Sequence, residues 1–153
     1  MAKKKLAIIA SKGTLDWAYP PLILASTAAA LGYEVRIFFT FYGLKLLEKK
    51  LDLRVSSLGN PAMPTSLPVM VQALPGMEIL MTQMMKGKMK KKGVVDIEEL
   101  RDLCIEAEVQ MIACQMTMDL FDFRRTNIID HAKSGGAATF FEFAGVSDVN
   151  LFM

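Results

Sequence analysis

The stretch KLAIIASKGTLDWAYPPLILASTAAALGYEVRIFFT, residues 5–40, sets two short β-rich runs on either side of one long helical segment. KLAIIA and EVRIFFT are nearly continuous in apolar residues rather than alternating, as in strands covered on both faces. SKGT breaks the first run, and residues 16–31 then read as a helix closed by Gly32, with Thr14 or Asp16 as its cap. Pro20 and Pro21 are expected in the first turn, where a missing N–H costs little. Residues 42–51 read as a second helix. Strand, helix, strand, helix in this order is a βαβα opening, which predicts an α/β fold with a parallel sheet and right-handed crossovers.

The remainder follows the same rhythm with one interruption. Between residues 60 and 75 four prolines break an apolar sequence, NPAMPTSLPVMVQALP, and a Met-dense helical stretch over 76–85 runs into the lysines of KGKMKKK, residues 86–92. Seven of the twelve methionines fall between Met63 and Met89. Residues 96–108 read as a helix with Asp96 as N-cap and Glu98 and Glu99 in its first turn, where the helix dipole favours them. VQMIAC is the third clear strand. Residues 126–133 read as a short helix ended by Gly135 and Gly136, and ATFFEFA as the last strand. The expectation is one domain over 1–153 with a Met/Pro-rich insertion at about 60–92.

Composition narrows the function classes. A chain of 153 residues, 52% hydrophobic and 22% charged, can bury roughly two thirds of its unfolded surface. Eighteen basic residues against sixteen acidic leave a net charge of +2. That balance argues against nucleic-acid binding, which needs a concentrated basic surface. The lysines at 3–5 and 86–92 read first as solvated ends. After the N-terminal lysines only LAIIA precedes Ser11, too short for a secretory signal core, and two cysteines exclude a disulfide scaffold, so cytoplasmic residence with reduced thiols is expected. Residues 62–85 carry a single charge, Glu78, but three prolines, Gly76 and two glutamines argue against a spanning helix. A subunit or partner surface fits better, with peripheral membrane contact through 62–92 as the intermediate reading.

The candidates for chemistry are few. Ile97, Leu100, Cys104 and Ala107 form one helical stripe, so Cys104 reads as a buried hydrophobe. Cys114 ends a strand, and in open parallel sheets ligands and reactive groups gather at the carboxyl ends of strands. The following QMTMDLF looks like a helix start, whose free N–H groups stabilise a thiolate. By position alone Cys114 is equally a core plug or a nucleophile. His131, the only histidine, could assist only if the fold carried it to Cys114. Two cysteines and one histidine at scattered spacing do not make a zinc site. Neither GxGxxG nor GxxxxGK[ST] occurs, and SKGT is a faint echo of a phosphate loop.

Taken together, KLAIIASKGTLDWAYPPLILASTAAALG, VRIFFTFYGL, LGNPAMP, LPGME and above all MIACQMTMDLF resemble the DsrE/DsrF-like family, in particular its stand-alone DsrE-type sulfurtransferases. The resemblance covers nearly the whole chain. It implies a three-layer α/β/α fold with a mainly parallel sheet, a homo-oligomer, and a sulfur carrier that holds a persulfide at the position of Cys114. It also implies rhodanese-like or TusA-like partners, and for some relatives a membrane association. Relatives carry glycine at about Asp122, so the turn beyond the cysteine is expected to be altered here. In this reading Cys114 accepts sulfane sulfur, the N–H groups of Gln115, Met116 and Thr117 support it, and no metal or organic cofactor takes part. The rival readings are a non-enzymatic α/β oligomer binding a small ligand or nucleotide beside Cys114, and a thiol peroxidase or redox sensor. The last gains little support, because no Pro-x-x-x-Thr-x-x-Cys pattern leads into either cysteine.

Overall fold

In the computed structural model of the protein, which describes residues 2–55, 58, 60, 62 and 67–153, the opening stretch folds as its pattern requires. β1 (Lys5–Ala10) leads into α1 (Leu15–Ala30) and returns as β2 (Glu34–Phe39), paired parallel to β1 with Leu6 beside Val35. β3 (Gln110–Cys114) continues the sheet on the far side of β2, with Phe39 beside Ala113. β4 (Lys133–Gly135) pairs with β3, and β5 (Val149–Phe152) with β1. The order is β4-β3-β2-β1-β5, and among the described residues these strands pair parallel throughout.

Strand parity divides the core in two. Leu6, Ile8, Val35, Ile37, Met111 and Ala113 face α1 and α4 (Ile97–Glu106). Ala7, Phe38, Ile112 and Cys114 face the opposite way, against Phe140, Phe143 and Ala144 of α6 (Ala137–Ala144). Helices thus lie on both faces of the sheet, which is why its strands read as almost unbroken apolar runs. α2 (Val69–Gln72) and α3 (Met77–Lys91) follow the proline-rich segment. α3 seats Met81 and Thr82, and the Thr82 hydroxyl accepts the Val55 N–H at 2.9 Å. Of the Met/Pro-rich segment, Pro61, Met63 and Pro64 lie outside the described residues.

Several expectations give way. ATFFEFA is not a strand but most of α6: Phe140, Phe143 and Ala144 are buried while Phe141 is 67% exposed, a helical period rather than an alternation. Its aromatic, β-favouring composition is overridden by that spacing. The last strand is instead VNLF, residues 149–152. Residues 126–133 hold no α-helix. A 3-10 turn, Arg125–Asn127, gives way to a loop whose amides bond across the chain, with Lys49 N–H to Asn127 O and Ile129 N–H to Leu47 O. Arg125 fixes that loop by donating to the carbonyls of Ile129 and Ala132. The second helix is a 3-10 helix, Phe41–Leu47, in which Leu44, Leu46 and Leu47 are all buried and no α-helical stripe exists. Pro20 and Pro21 sit in the interior of α1, where they remove the amide donors to Asp16 and Trp17 carbonyls. Thr14 occupies the N-cap position without a side-chain cap bond, and Gly32 closes the helix at φ +86°. In α4 the Asp96 carboxylate accepts the Glu98 N–H as expected, but Arg101 rather than Ala107 joins the buried set. Its guanidinium donates to the carbonyls of Leu46 and Glu48.

Two loops meet over the carboxyl ends of β1 and β2 at a contact that only glycine permits. A Cβ on Gly43 would strike the Ala10 carbonyl, and one on Gly13 the Tyr42 carbonyl. Gly43→Ala is expected to cost about 2–3 kcal/mol of stability, since backbone rather than a side-chain tip must move. Denaturant unfolding measures this, and Gly87→Ala, in open space within α3, should instead stabilise by about 0.5–1 kcal/mol through helix propensity.

Candidate functional site around Cys114

Cys114 is both the last residue of β3 and the N-cap of α5 (Gln115–Leu120). Its side chain lies on the α6 face, 5% exposed, beside Phe38, Ile112 and Phe140. Burial by itself raises a thiol's pKa. Here that effect is outweighed by donors: the Thr117 hydroxyl and N–H, the Thr40 hydroxyl and the Met116 N–H together hold Cys114 below the ordinary cysteine value. α5 has only six residues, so the nearby hydroxyl and amide groups rather than a long macrodipole supply the field. The Gln115 N–H is not among the groups that lower the pKa. Gln115 instead uses its side-chain amide to bond Asp119 Oδ1 at 2.9 Å, one helical turn on.

The hydroxyls come from two neighbouring strand ends. Thr40 follows β2, Thr117 lies in the first turn of α5, and their Oγ1 atoms are 3.2 Å apart. Thr117 is fully buried, and its oxygen accepts the Phe41 N–H at 3.1 Å. That acceptance leaves the Thr117 hydrogen free to point at Thr40 or at sulfur. Phe41 is held at φ +47°, a left-handed conformation that a non-glycine residue enters at a cost of about 1–2 kcal/mol. The strain sits directly beside the thiol. Beyond it, exposed Phe41 and Tyr42 pack on Phe121, and with Met116 exposed in the first turn of α5 they make an apolar rim. Tyr42 stacks on Phe121 at 5.2 Å. Thr40 was not singled out in the sequence, although the rule that points to Cys114, position at a strand's carboxyl end, applies equally to the T that closes EVRIFFT.

The turn beyond α5 is intact. Asp122 adopts φ +53°, the conformation a glycine would supply, and the Phe123 N–H bonds the Met118 carbonyl at 2.9 Å. This is a Schellman closure, with Asp122 at the left-handed position after the cap. Asp122 thus takes up the left-handed position itself, a region that aspartate tolerates better than most residues.

Cys104 and His131 are placed apart from the site. Cys104 is fully buried among α1-side core residues, its thiol donating to the Leu22 carbonyl at 3.3 Å. Burial pushes its pKa up to about 11. The two cysteines face opposite sides of the sheet, and both are free. His131 Nε2 lies 2.8 Å from the Val109 carbonyl, at the start of β3. Cys114 is at the other end of that strand, roughly 16 Å away by the rise per residue. Among the described residues no group of three His, Cys, Asp or Glu side chains is placed to hold a metal ion.

Comparison with known proteins agrees with this architecture. The model of the DsrE/DsrF/DrsH-like family matches residues 2–152. The chain belongs to the DsrE/DsrF/DrsH-like family. Among its relatives is the sulfur carrier protein DsrE2 of Allochromatium vinosum, 65% identical with all of both chains covered. An uncharacterized protein, YrkE, of Bacillus subtilis strain 168 is 30% identical over 98% of this chain and 97% of its own. Among solved structures, the ychN protein from E. coli shares the fold at a TM-score of 0.59, with 10% identity over 99% of this chain and all of that one.

The opposite shifts of the two thiols give opposite pH dependences. Cys114's thiolate contribution to stability is present above the ordinary cysteine value and lost as pH falls through the site's own lowered pKa. Cys104's neutral-thiol contribution is complete below the ordinary value and lost as pH rises toward about 11. Iodoacetamide alkylation of Cys104→Ala should therefore follow a pH profile displaced below that of free cysteine. Thr117→Val should move the profile upward and Thr117→Ser should largely restore it; a profile unchanged by Thr117→Val contradicts the role of the hydroxyl.

Proposed function

We propose that this protein is a sulfur carrier, loading sulfane sulfur as a persulfide on Cys114 and delivering it to another thiol protein. The observation that carries the reading is the placement of one thiol at the end of β3 against hydroxyl and amide donors that hold it toward the thiolate. The 65% identity to a protein named as a sulfur carrier supports it.

The chemistry needs no oxidant, reductant or bound cofactor. The Cys114 thiolate attacks the outer sulfur of a donor persulfide, R–S–SH. A bond forms between Cys114 Sγ and that sulfur, the donor S–S bond breaks, and the donor leaves as R–S⁻. The product is Cys114–S–SH. An acceptor thiolate then attacks the outer sulfur in turn, and Cys114 departs as the thiolate that its surroundings favour. The lowered pKa thus serves twice, supplying the nucleophile and improving the leaving group. The outer sulfur extends about 2 Å beyond Sγ, which carries it from the buried thiol toward the rim of Phe41, Tyr42 and Met116. With Cys104 on the opposite face of the sheet, no second thiol of the chain competes to close a disulfide. That separation favours a carrier over an oxidoreductase.

Sulfur-transfer proteins are the partners such a carrier requires. We assign rhodanese-like or TusA-like sulfur-transfer partners, a homo-oligomeric state and a cytoplasmic location to this proposal. Among the described residues no helix is long and apolar enough to cross a membrane. Intact-mass spectrometry after incubation with a persulfide donor tests the reading. A gain of one sulfur atom is expected in the unaltered protein and in Cys104→Ser, and none in Cys114→Ser. An adduct on Cys104, or none at all, sinks it.

A further inference from the structure

Two cavities lie end to end on the α1 side of the molecule. One, of about 540 Å³, opens at the N-terminus of α1 and is lined by Lys12, Thr14, Trp17, Tyr42 and Lys45. The other, of about 590 Å³, runs along α3 and is lined by Met81, Met84, Met85, Met89, Lys88 and Lys92. Asp16 and Asn60 border both, so the two form one trough. Its first end reaches Tyr42, whose ring stacks on Phe121, the residue that caps α5. The trough thus begins beside the aromatic rim of Cys114 and ends in a bed of methionines.

We propose that this trough docks an extended acidic segment of a partner protein and guides that segment's sulfur to Cys114. The proposal rests on the sulfur-carrier reading and specifies the partner's chemistry. Four lysines, Lys12, Lys45, Lys88 and Lys92, line the trough against a single acidic residue, Asp16. Among the described residues none of the four pairs with a carboxylate. The Lys12 ammonium is held at the mouth of the trough, 3.3 Å above the centre of the Trp17 ring. The complementary ligand is therefore anionic along its length.

The methionine end adds a second requirement. Met81 is buried, Met85 and Met89 are half-buried and Met84 is exposed. These flexible, polarizable side chains accept an apolar anchor of varied shape. A segment with glutamates or aspartates along its course and one bulky apolar residue meets both conditions. The methionines line a concave groove, which a peptide chain enters and a bilayer does not. An anionic membrane would instead meet the outer face of α2 and α3, where Met70, Leu74 and Leu80 are exposed.

The test compares persulfide donors on the full chain, with the rate of loading at Cys114 read by mass spectrometry. The donors are a glutamate-rich peptide with one leucine and a terminal cysteine persulfide, its lysine-rich counterpart, and cysteine persulfide itself. The acidic peptide should load Cys114 about tenfold faster than the basic one at low salt, and added salt should shrink the difference. Lys88→Gln/Lys92→Gln should reduce the preference and Lys88→Glu/Lys92→Glu should abolish it, while cysteine persulfide loads all variants equally. Equal rates for the two peptides, or a preference untouched by the lysine substitutions, would overturn the proposal. Lysine-dependent binding to anionic phospholipid vesicles without any peptide preference would overturn it too, by assigning these lysines to lipid. Failure of cysteine persulfide to load Cys114 in any variant points elsewhere, to the carrier reading itself.

Discussion

Parallel pairing of β2 with β3 is the constraint on which the site depends. The register that sets Phe39 beside Ala113 brings the carboxyl ends of both strands level. Thr40 and Cys114 therefore emerge from the sheet together, and the first turn of α5 folds Thr117 in between them. A slip of one residue would exchange the two faces of β3 and turn Cys114 toward the α1 side, away from α6. Gly13 and Gly43 protect that arrangement, because their missing side chains let the loops after β1 and β2 close over the strand ends.

The electrostatic balance at Cys114 follows from this geometry. A thiol that is 5% exposed in apolar surroundings would be expected to stay protonated and inert, and Cys104 does so. Cys114 differs because four donor groups converge on it from two chain segments. They act at short range within a dry pocket, where each dipole counts for more than it would in water. Left-handed Phe41 belongs to the same device: its N–H engages the Thr117 oxygen, and with one hydroxyl hydrogen shared between Thr117 and Thr40 the other is left for sulfur. In the proposed function, the same burial would shield a persulfide from stray thiols and would oblige a partner to approach closely, at the apolar rim.

Much of this was legible in the sequence, and the failures have physical causes. The βαβ opening was plain because both strands are buried on two faces and carry unbroken apolar runs. Asp96 announced α4 through its own cap. The last quarter misled for the opposite reason: ATFFEFA has strand composition but helical spacing, and spacing decided which face could be buried. Residues 126–133 look helical by propensity, yet Arg125 and the amides of 47–49 offered bonding partners across the chain that no local rule foresees. At the site, the strand-end position of Cys114 was readable. Its thiolate-favouring surroundings were only half so, since Thr40 is 74 residues away in sequence and meets Cys114 only through the sheet. His131, the one residue that sequence left free to be a base, is carried to the far end of β3 instead.

A carrier must release sulfur as well as accept it, and the most direct measurement follows one labelled atom through both steps. Cys114 would be loaded with isotopically labelled sulfane sulfur, freed of donor by gel filtration, and mixed with an acceptor thiol protein. The label should move to the acceptor and leave Cys114 as a free thiol, with no transfer from Cys114→Ser treated identically. Label that stays on the chain, or that reaches the acceptor equally well from Cys114→Ser, would contradict the account.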